Sequence, residues 1–207
     1  MGVSGVGKTT LLRLLAGLEH NNRECDFQIT SHKSLLGKVA YMAQGDLLLP
    51  WLTVIDNVII GARLRGEKIL KDRAYTMLEK VGLADNADEM PSSLSGGMRQ
   101  RAALARTLME DRPIVLMDEP FSSLDMLTKV RLQDLAAEIL QGKTVLMVTH
   151  DTFEAYRLSN DICILSGCPA YLDKIIKLLG PTPRDIQSQE VLEGQAELLR
   201  YLSGSEL

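Results

Sequence analysis

The sequence predicts an α/β fold in which a mostly parallel sheet is covered by helices. Four short apolar runs have the length and β-branched content of buried strands: 39–42, 114–117, 144–148 and 162–165. Stretches with helical periodicity separate the later runs, at 97–109, 126–140 and 152–158. A chain that alternates strands and helices in this way forms a parallel sheet with helices on both faces.

The other predicted elements are all helical. Near the start, leucines at positions 11, 12, 14, 15 and 18 have the spacing of one buried helix face. Two further helices are expected at 53–64 and 71–81, and the tail adds an amphipathic helix at about 189–202. No strand pattern occurs between 44 and 113.

These elements predict one domain with two parts. We expect an α/β core formed by 1–44 and 111–207, and a helical subdomain inserted over 45–110. A chain of 207 residues is long enough for this arrangement, since domains commonly have about 100–150 residues.

Composition excludes several classes of protein. Apolar residues make up 45% and charged residues 24%, as in ordinary globular proteins. The net charge is −4 without a basic stripe, which argues against nucleic acid as a partner. No apolar run approaches the roughly 20 residues of a membrane-spanning helix. The cysteines Cys25, Cys163 and Cys168 lack metal-site spacing, so we expect a reduced, cytoplasmic setting.

A glycine-rich motif at 2–9 predicts phosphate binding. GVSGVGKT matches G-x-x-x-x-G-K-[ST], in which glycines let successive backbone N–H groups point at phosphate oxygens. Lys8 would reach the β- and γ-phosphates, and the Thr9 hydroxyl would bind Mg²⁺. The alternative is a glycine-rich helix cap that matches the pattern by chance.

Two acids follow the apolar run at 114–117. At the carboxyl end of a parallel strand, Asp118 would lie near the phosphate loop and bind Mg²⁺. Glu119 could orient or deprotonate the attacking water. The alternative is that one of these carboxylates caps a helix or faces solvent.

A second motif, LSGGMRQR at 94–101, precedes a strong helix. Ser95 is a good cap residue, and the glycine pair exposes N–H groups at the positive end of the helix. An ordinary capped helix would explain Ser95 but not both glycines. The motif therefore predicts a second anion-binding site.

The order of phosphate loop, LSGGMRQR and LMDEP resembles the nucleotide-binding subunit of an ATP-binding-cassette (ABC) transporter over nearly the whole chain. The resemblance implies a RecA-like P-loop NTPase fold, ATP and Mg²⁺ as cofactors, and ATP hydrolysis that drives transport. The run LLLPWLTVIDNV resembles the importer branch for nitrate, sulfonates, taurine and a thiamine precursor.

The resemblance also implies residue roles. Tyr41-Met42-Ala43-Gln44 is similar to the family's Q-loop, the run at 122–125 to its D-loop, and His150 to its switch histidine. Without the resemblance, a lone histidine at a strand end would be interpreted as structural. The expected nucleotide-binding residues are Gly2, Ser4, Gly5, Gly7, Lys8, Thr9, Thr10, Gln44, Ser95, Gly96, Gly97, Gln100 and Asp125. The expected Mg²⁺ ligands are Thr9, Gln44 and Asp118, and the expected catalytic residues are Glu119, His150 and Lys8.

Partners follow from the resemblance in the same way. Two cassettes would pair head to tail as a homodimer, each nucleotide lying between the phosphate loop of one copy and LSGG of the other. Transmembrane permease subunits would dock near 44–53, unless Leu48 and Trp51 belong to the core of the helical subdomain. A substrate-binding protein would act indirectly, and the chain would lie on the cytoplasmic face of the inner membrane.

The amino terminus departs from the family pattern. Only Met1 precedes Gly2, so the first core strand, an antiparallel β-layer and the adenine-stacking aromatic are expected to be missing, as in a truncated cassette. Two alternatives to the importer function therefore stay open. One is a non-catalytic truncated cassette, and the other is a soluble, non-transport ABC ATPase of the DNA-repair or translation type.

Overall fold

A computed structural model describes residues 1–19, 35 and 37–204. The chain divides into two compact units. The first unit comprises Met1–Ser34 and Val148–Leu207, and the second comprises Leu35–Met147. These boundaries differ from the predicted division at 45–110, which stays a prediction. Cys25 lies outside the described residues, and Cys163 and Cys168 are free thiols.

The second unit holds a three-stranded sheet and most of the helices. Its strands are β1 (Val39–Met42), β2 (Ile114–Asp118) and β3 (Thr144–Val148), in the order β1-β2-β3. β1 and β2 are parallel, with Met42 opposite Met117. Both strands bury alternate or successive apolar side chains, and Val115, Leu116 and Met117 are all at most 2% exposed. The predicted parallel sheet is therefore confirmed for these strands.

The helices of this unit follow the predicted periodicity. They are α2 (Val54–Leu64), α3 (Lys71–Lys80), α4 (Gly96–Met109) and α5 (Met126–Ile139), with short 3₁₀ turns at Ala84–Asn86 and Pro91–Ser93. The α2 and α4 helices pack on each other, and each of them also packs on α3. Residues 44–113 are all described and contain no strand, as predicted.

The first unit has its own small core. It contains α1 (Lys8–Leu15), α6 (Thr152–Leu158), β4 (Asp161–Ser166), β5 (Tyr171–Lys177) and α7 (Gln189–Gly204). Ala155, Ile162, Ile164 and Leu198 pack together at the centre of this unit.

One strand pairing differs from the prediction. We expected 162–165 to belong to the parallel sheet, but β4 pairs antiparallel with β5, a strand that the sequence reasoning missed. Among the described residues, the parallel partner of β4 is Gly2, which forms an isolated bridge with Leu165. β5 was missed because its sequence, YLDKIIK, mixes charged and apolar residues along a mostly exposed strand.

Candidate functional site

The phosphate-loop motif forms a glycine-rich turn that leads into α1. Gly5 and Gly7 have φ values of 80° and 99°, which side chains with a Cβ rarely adopt. A Cβ at either position would meet nothing within 4 Å, so backbone conformation, not crowding, requires glycine there. Gly2 is different, because a Cβ at that position would collide with the Leu165 carbonyl oxygen.

The Lys8 side chain folds back onto this loop. Its Nζ donates hydrogen bonds to the carbonyl oxygens of Gly2 and Val3, both at 2.8 Å. Ser4, Gly5, Thr9 and Thr10 are exposed around it. A cation beside the N-terminal N–H groups of an eight-residue helix suits an anion such as phosphate.

In the second unit, the sheet brings Gln44 and Glu119 together. β1 and β2 run parallel and in register, so the residues that follow them lie at one edge of the sheet. Gln44 Nε2 donates a hydrogen bond to Glu119 Oε2 at 3.3 Å. These two predicted site residues, 75 positions apart in sequence, are therefore neighbours.

Asp118, at the end of β2, is a buried acid. It is 1% exposed, and its Oδ2 atom has no hydrogen-bond partner among the described residues. A buried carboxylate oxygen without a donor is costly unless a cation or another donor satisfies it. This oxygen fits the predicted role of Asp118 as a Mg²⁺ ligand.

The backbone of Glu119 is strained. Its φ is 49°, in the left-handed region that disfavours residues with a Cβ. The turn is held by Ser122, whose Oγ donates to the Glu119 carbonyl oxygen at 3.1 Å. This conformation turns the chain immediately after β2 and fixes where the Glu119 carboxylate can lie.

The LSGG motif forms the N-terminus of α4, as predicted. Ser95 is the N-cap, and its Oγ accepts a hydrogen bond from Met98 N at 3.2 Å. A Cβ at Gly97 would lie 3.4 Å from the Ser123 carbonyl oxygen, which is an ordinary contact, so packing within the chain does not require glycine there. Gln100 is only 4% exposed and donates to the Pro120 carbonyl oxygen at 3.0 Å. Its expected contact with a nucleotide stays a prediction.

Asp125 is the N-cap of α5 and is exposed. Its carboxylate accepts a hydrogen bond from Thr128 N at 3.0 Å. Hydrogen bonds from the side chain and then the backbone of Thr128 lower the pKa of Asp125 from its ordinary value. The charged form of this carboxylate therefore predominates at neutral pH.

His150 is exposed in the first unit, in the turn between β3 and α6. The turn is organised by Thr149, whose hydroxyl donates to the buried Glu154 and accepts from Asp151 N at 3.0 Å. Asp151 in turn caps α6. The sequence reasoning missed Thr149 and Glu154, although Asp151 followed three positions later by Glu154 has the spacing of a helix start and was a usable signal.

The sequence reasoning also missed a cluster of hydrogen bonds to residues 46 and 47, which follow Gln44 in the chain. Asp46 Oδ2 accepts from Arg99 Nε at 3.0 Å, and the Asp46 and Leu47 carbonyl oxygens accept from Arg106 at 2.6 and 2.8 Å. Both arginines lie on α4, seven positions apart and therefore on one face of the helix.

The segment at 49–53 is fixed by a buried amide. Asn57 is fully buried, and its Oδ1 accepts from Leu49 N at 2.7 Å. Its Nδ2 donates to the carbonyl oxygens of Leu49, Leu52 and Thr53 at 3.0–3.1 Å. Leu48 is 8% exposed and belongs to the core, whereas Trp51 is 69% exposed.

Two features are absent from the part of the chain that the structure describes. None of its helices has the length and apolarity needed to cross a bilayer. It also contains no group of three or more His, Cys, Asp or Glu side chains placed to hold a metal ion.

A glycine loop closed by a lysine, and a buried acid at the end of a parallel strand, are features of a P-loop nucleotide-binding protein. The comparisons with known proteins agree. The sequence profile described as "ABC transporter" matches residues 1–122. The chain therefore belongs to the ABC transporter family. It is an ATP-binding cassette with the fold of a P-loop ATPase.

Several relatives match almost the whole chain. An uncharacterized ABC transporter ATP-binding protein of Haemophilus influenzae is 43% identical over 211 residues, covering 100% of this chain and 87% of the relative. The aliphatic sulfonates import ATP-binding protein SsuB 1 of Rhodococcus jostii is 45% identical, covering 98% of this chain and 83% of the relative. The corresponding protein of Yersinia pestis is 44% identical, with coverage of 98% and 74%.

Solved structures show the same fold. The ATP-binding cassette MJ0796, as a dimer in a post-hydrolysis state bound to ADP and phosphate, superposes with a TM-score of 0.74 at 30% identity. The match covers 87% of this chain and 84% of that one. A second dimeric structure of MJ0796 gives a TM-score of 0.75 at 29% identity.

Proposed function

We propose that this chain is the ATP-binding and ATP-hydrolysing subunit of an ABC-type importer, which couples hydrolysis to the uptake of a small molecule. The observation that carries the proposal is the pair formed by Gln44 and Glu119, beside a buried Asp118 oxygen that has no partner among the described residues. The arrangement provides a carboxylate for water and a second carboxylate for a cation, each at the end of the same strand.

The phosphate loop binds the nucleotide in this proposal. Backbone N–H groups of the loop and the start of α1 face the phosphates, with side-chain hydroxyls of Ser4, Thr9 and Thr10 nearby. Lys8 exchanges its bonds to loop carbonyl oxygens for bonds to the β- and γ-phosphates. Exchanging neutral acceptors for anionic ones strengthens each hydrogen bond.

Thr9, Gln44 and Asp118 would hold Mg²⁺. The metal supplies charge neutralisation for the phosphate oxygens during transfer. Asp118 is suited to this role because a cation would satisfy its buried oxygen.

Glu119 acts as the general base or water-orienting residue. The Gln44 amide donates to its carboxylate, and the strained turn fixes its backbone. The carboxylate orients the attacking water and takes its proton, while His150 contacts the γ-phosphate.

Two copies of the chain complete the site as a homodimer. Ser95, Gly96 and Gly97 present a capped helix N-terminus to the nucleotide of the other copy, with Gln100 and Asp125 near the interface. The dimeric structures of the MJ0796 cassette support this assembly.

Permease subunits dock near 44–53, where Leu47 and Trp51 are 66% and 69% exposed. Relatives described as sulfonate importers support uptake of a small anionic molecule. In this proposal a substrate-binding protein delivers that molecule to the permease. In this proposed assembly the chain would lie on the cytoplasmic face of the inner membrane.

The proposal is tested by Glu119→Gln in the purified chain. We expect ATP binding to persist and hydrolysis to fall by at least about a hundredfold, since a positioned general base contributes roughly 10²–10⁴-fold. Glu79→Gln, an isosteric change at an exposed position of α3, is the matched control and should leave hydrolysis at the parent rate. Hydrolysis at the parent rate by Glu119→Gln would disprove the assignment of the base. A parent chain that binds ATP but does not hydrolyse it would favour a non-catalytic cassette.

A further inference from the structure

The segment that follows Gln44 is held against α4 at two points. Arg99 binds the Asp46 carboxylate, and Arg106 binds the backbone carbonyl oxygens of Asp46 and Leu47. Asp46 therefore receives hydrogen bonds from both arginines, one through its side chain and one through its backbone.

Arg99 also reaches the LSGG motif. Its NH1 group donates to the Leu94 carbonyl oxygen at 2.8 Å, immediately before the Ser95 cap. The Arg99 guanidinium therefore bonds both to Asp46, two residues after Gln44, and to Leu94, just before the N-terminus of α4.

At the other end, Asp46 lies two residues beyond Gln44, whose amide donates to Glu119. Because only Gly45 separates the two residues, their Cα atoms stay within about 7 Å of each other, so the position of Asp46 limits where Gln44 can lie. The hydrogen bonds of Arg99 and Gln44, together with this short piece of chain, connect the start of α4 to the Glu119 carboxylate.

These contacts are poorly placed to add folding stability. The Arg99 and Asp46 side chains are 37% and 30% exposed, and ion pairs with such exposure contribute little. Leu47 has a φ of 45°, so the segment is held in a strained conformation. Burial lowers the pKa of the Arg106 guanidinium from its ordinary value. The negative charges of Asp46 and Glu110 offset part of that decrease. The contacts of Arg99 and Arg106 with residues 46 and 47 therefore define the geometry of this segment more than they raise the free energy of unfolding.

We propose that Asp46, Arg99 and Arg106 form a positioning clamp, which fixes Gln44 relative to the Ser95–Gly97 helix entry so that hydrolysis at Glu119 depends on the placement of α4. The inference rests on the proposed ATPase function. None of the three residues is assigned a contact with nucleotide; they act through Gln44 and Ser95.

A double-mutant cycle on the full chain tests the clamp, with Asp46→Ala, Arg99→Ala and the double variant. Each single variant should lower kcat for ATP hydrolysis by about tenfold while KM for ATP stays within about twofold, since the ground-state phosphate contacts are intact. The loss in the double variant should be clearly smaller than the sum of the two single losses, because both changes break the Arg99–Asp46 pair, although each also removes one further bond, to Leu94 or to Leu48. Arg99→Lys should recover part of the rate.

A second readout does not need hydrolysis. In Asp46→Ala, amide hydrogen exchange should accelerate at 94–98, at the helix entry, and remain unchanged near the C-terminus of α4. A purely structural loss would instead accelerate exchange throughout the helix.

Arg65→Ala is the matched control. Arg65, at the end of α2, lies outside the 94–101 motif and pairs with Glu67 and Glu110, and its side chain is 36% exposed against 37% for Arg99. We expect the parent kcat. Unchanged kcat in Asp46→Ala and Arg99→Ala, or effects that add in the double variant, would overturn the clamp. If the parent does not hydrolyse ATP, the proposed function fails, and unchanged exchange at 94–98 would still refute the clamp separately.

Discussion

Asn57→Ala should destabilise the second unit far more than a typical surface change. In the parent, the Asn57 amide satisfies four backbone groups of 49–53. Two of these groups keep another partner in the variant, because the Leu49 carbonyl oxygen accepts from Leu52 N and the Thr53 carbonyl oxygen from Asn57 N. The main loss therefore falls on the Leu49 N–H and the Leu52 carbonyl.

The magnitude follows from those two groups. An unsatisfied buried polar group costs about 1–3 kcal/mol, so two would cost roughly 2–6 kcal/mol. Leu49 and Leu52 are only half-buried and water can reach them, which places the expected loss at about 2–4 kcal/mol. Asn57→Asp should be at least as damaging at neutral pH, since it points a second acceptor at three carbonyl oxygens.

Urea unfolding followed by circular dichroism measures the global loss, with linear extrapolation to water. Trp51, the single tryptophan in the sequence, reports on the same segment through its fluorescence anisotropy. Its anisotropy should fall in Asn57→Ala before global unfolding begins. Asn86→Ala is the control, because the Asn86 amide donates at 3.1 Å to the Glu89 side chain and not to a backbone carbonyl oxygen. A loss below about 1 kcal/mol in Asn57→Ala, or equal losses in the two variants, would refute the reasoning.

Three further predictions concern the proposed site. Lys8→Ala should weaken ATP binding by at least about tenfold in calorimetry, since charge-assisted hydrogen bonds contribute about 1.5–3 kcal/mol; parent affinity would contradict its phosphate contact. Mixing inactive Lys8→Ala with inactive Gly96→Asp should restore part of the hydrolysis, because one of the two composite sites then keeps both intact halves; no recovery at any ratio would argue against head-to-tail pairing. Asp125→Asn should lose stability relative to the parent at pH 7 in urea titrations, and this loss should shrink progressively as pH falls below about 4. The folded-state pKa of Asp125 is lowered, so its charged cap stabilises above the unfolded-state pKa of about 3.9 and the benefit disappears as pH falls through the folded value; a pH-independent difference would contradict this.

The elements that sequence reasoning placed well are those with a strong local signal. α2, α4, α5 and α6 begin and end within a residue or two of the prediction, since each combines apolar periodicity with a cap such as Ser95 or Asp125. β1 and β2 were found because both faces of a parallel sheet are buried, which leaves continuous apolar runs.

What was missed depends on tertiary contacts. β5 lacks an apolar run because much of it faces solvent. The Asp46–Arg99 pair joins residues 53 positions apart, and no local spacing indicates it. Of the two residues of 44–53 that were expected to be either core or exposed, Leu48 is core and Trp51 is exposed, and docking at this segment stays a prediction. A sequence pattern fixes which residues face inward on an element more reliably than which element covers them.

The left-handed backbone at Glu119 sets stability and activity against each other. A Cβ in this region costs about 1–2 kcal/mol, while glycine adds about 1 kcal/mol of unfolded-state entropy, so Glu119→Gly should be neutral or slightly stabilising. Glu119→Asn would also tolerate the conformation. Both changes remove the carboxylate that we propose as general base. Selection of this chain for thermal tolerance alone would therefore not remove inactive variants at position 119, and any such library needs an ATPase screen in every round.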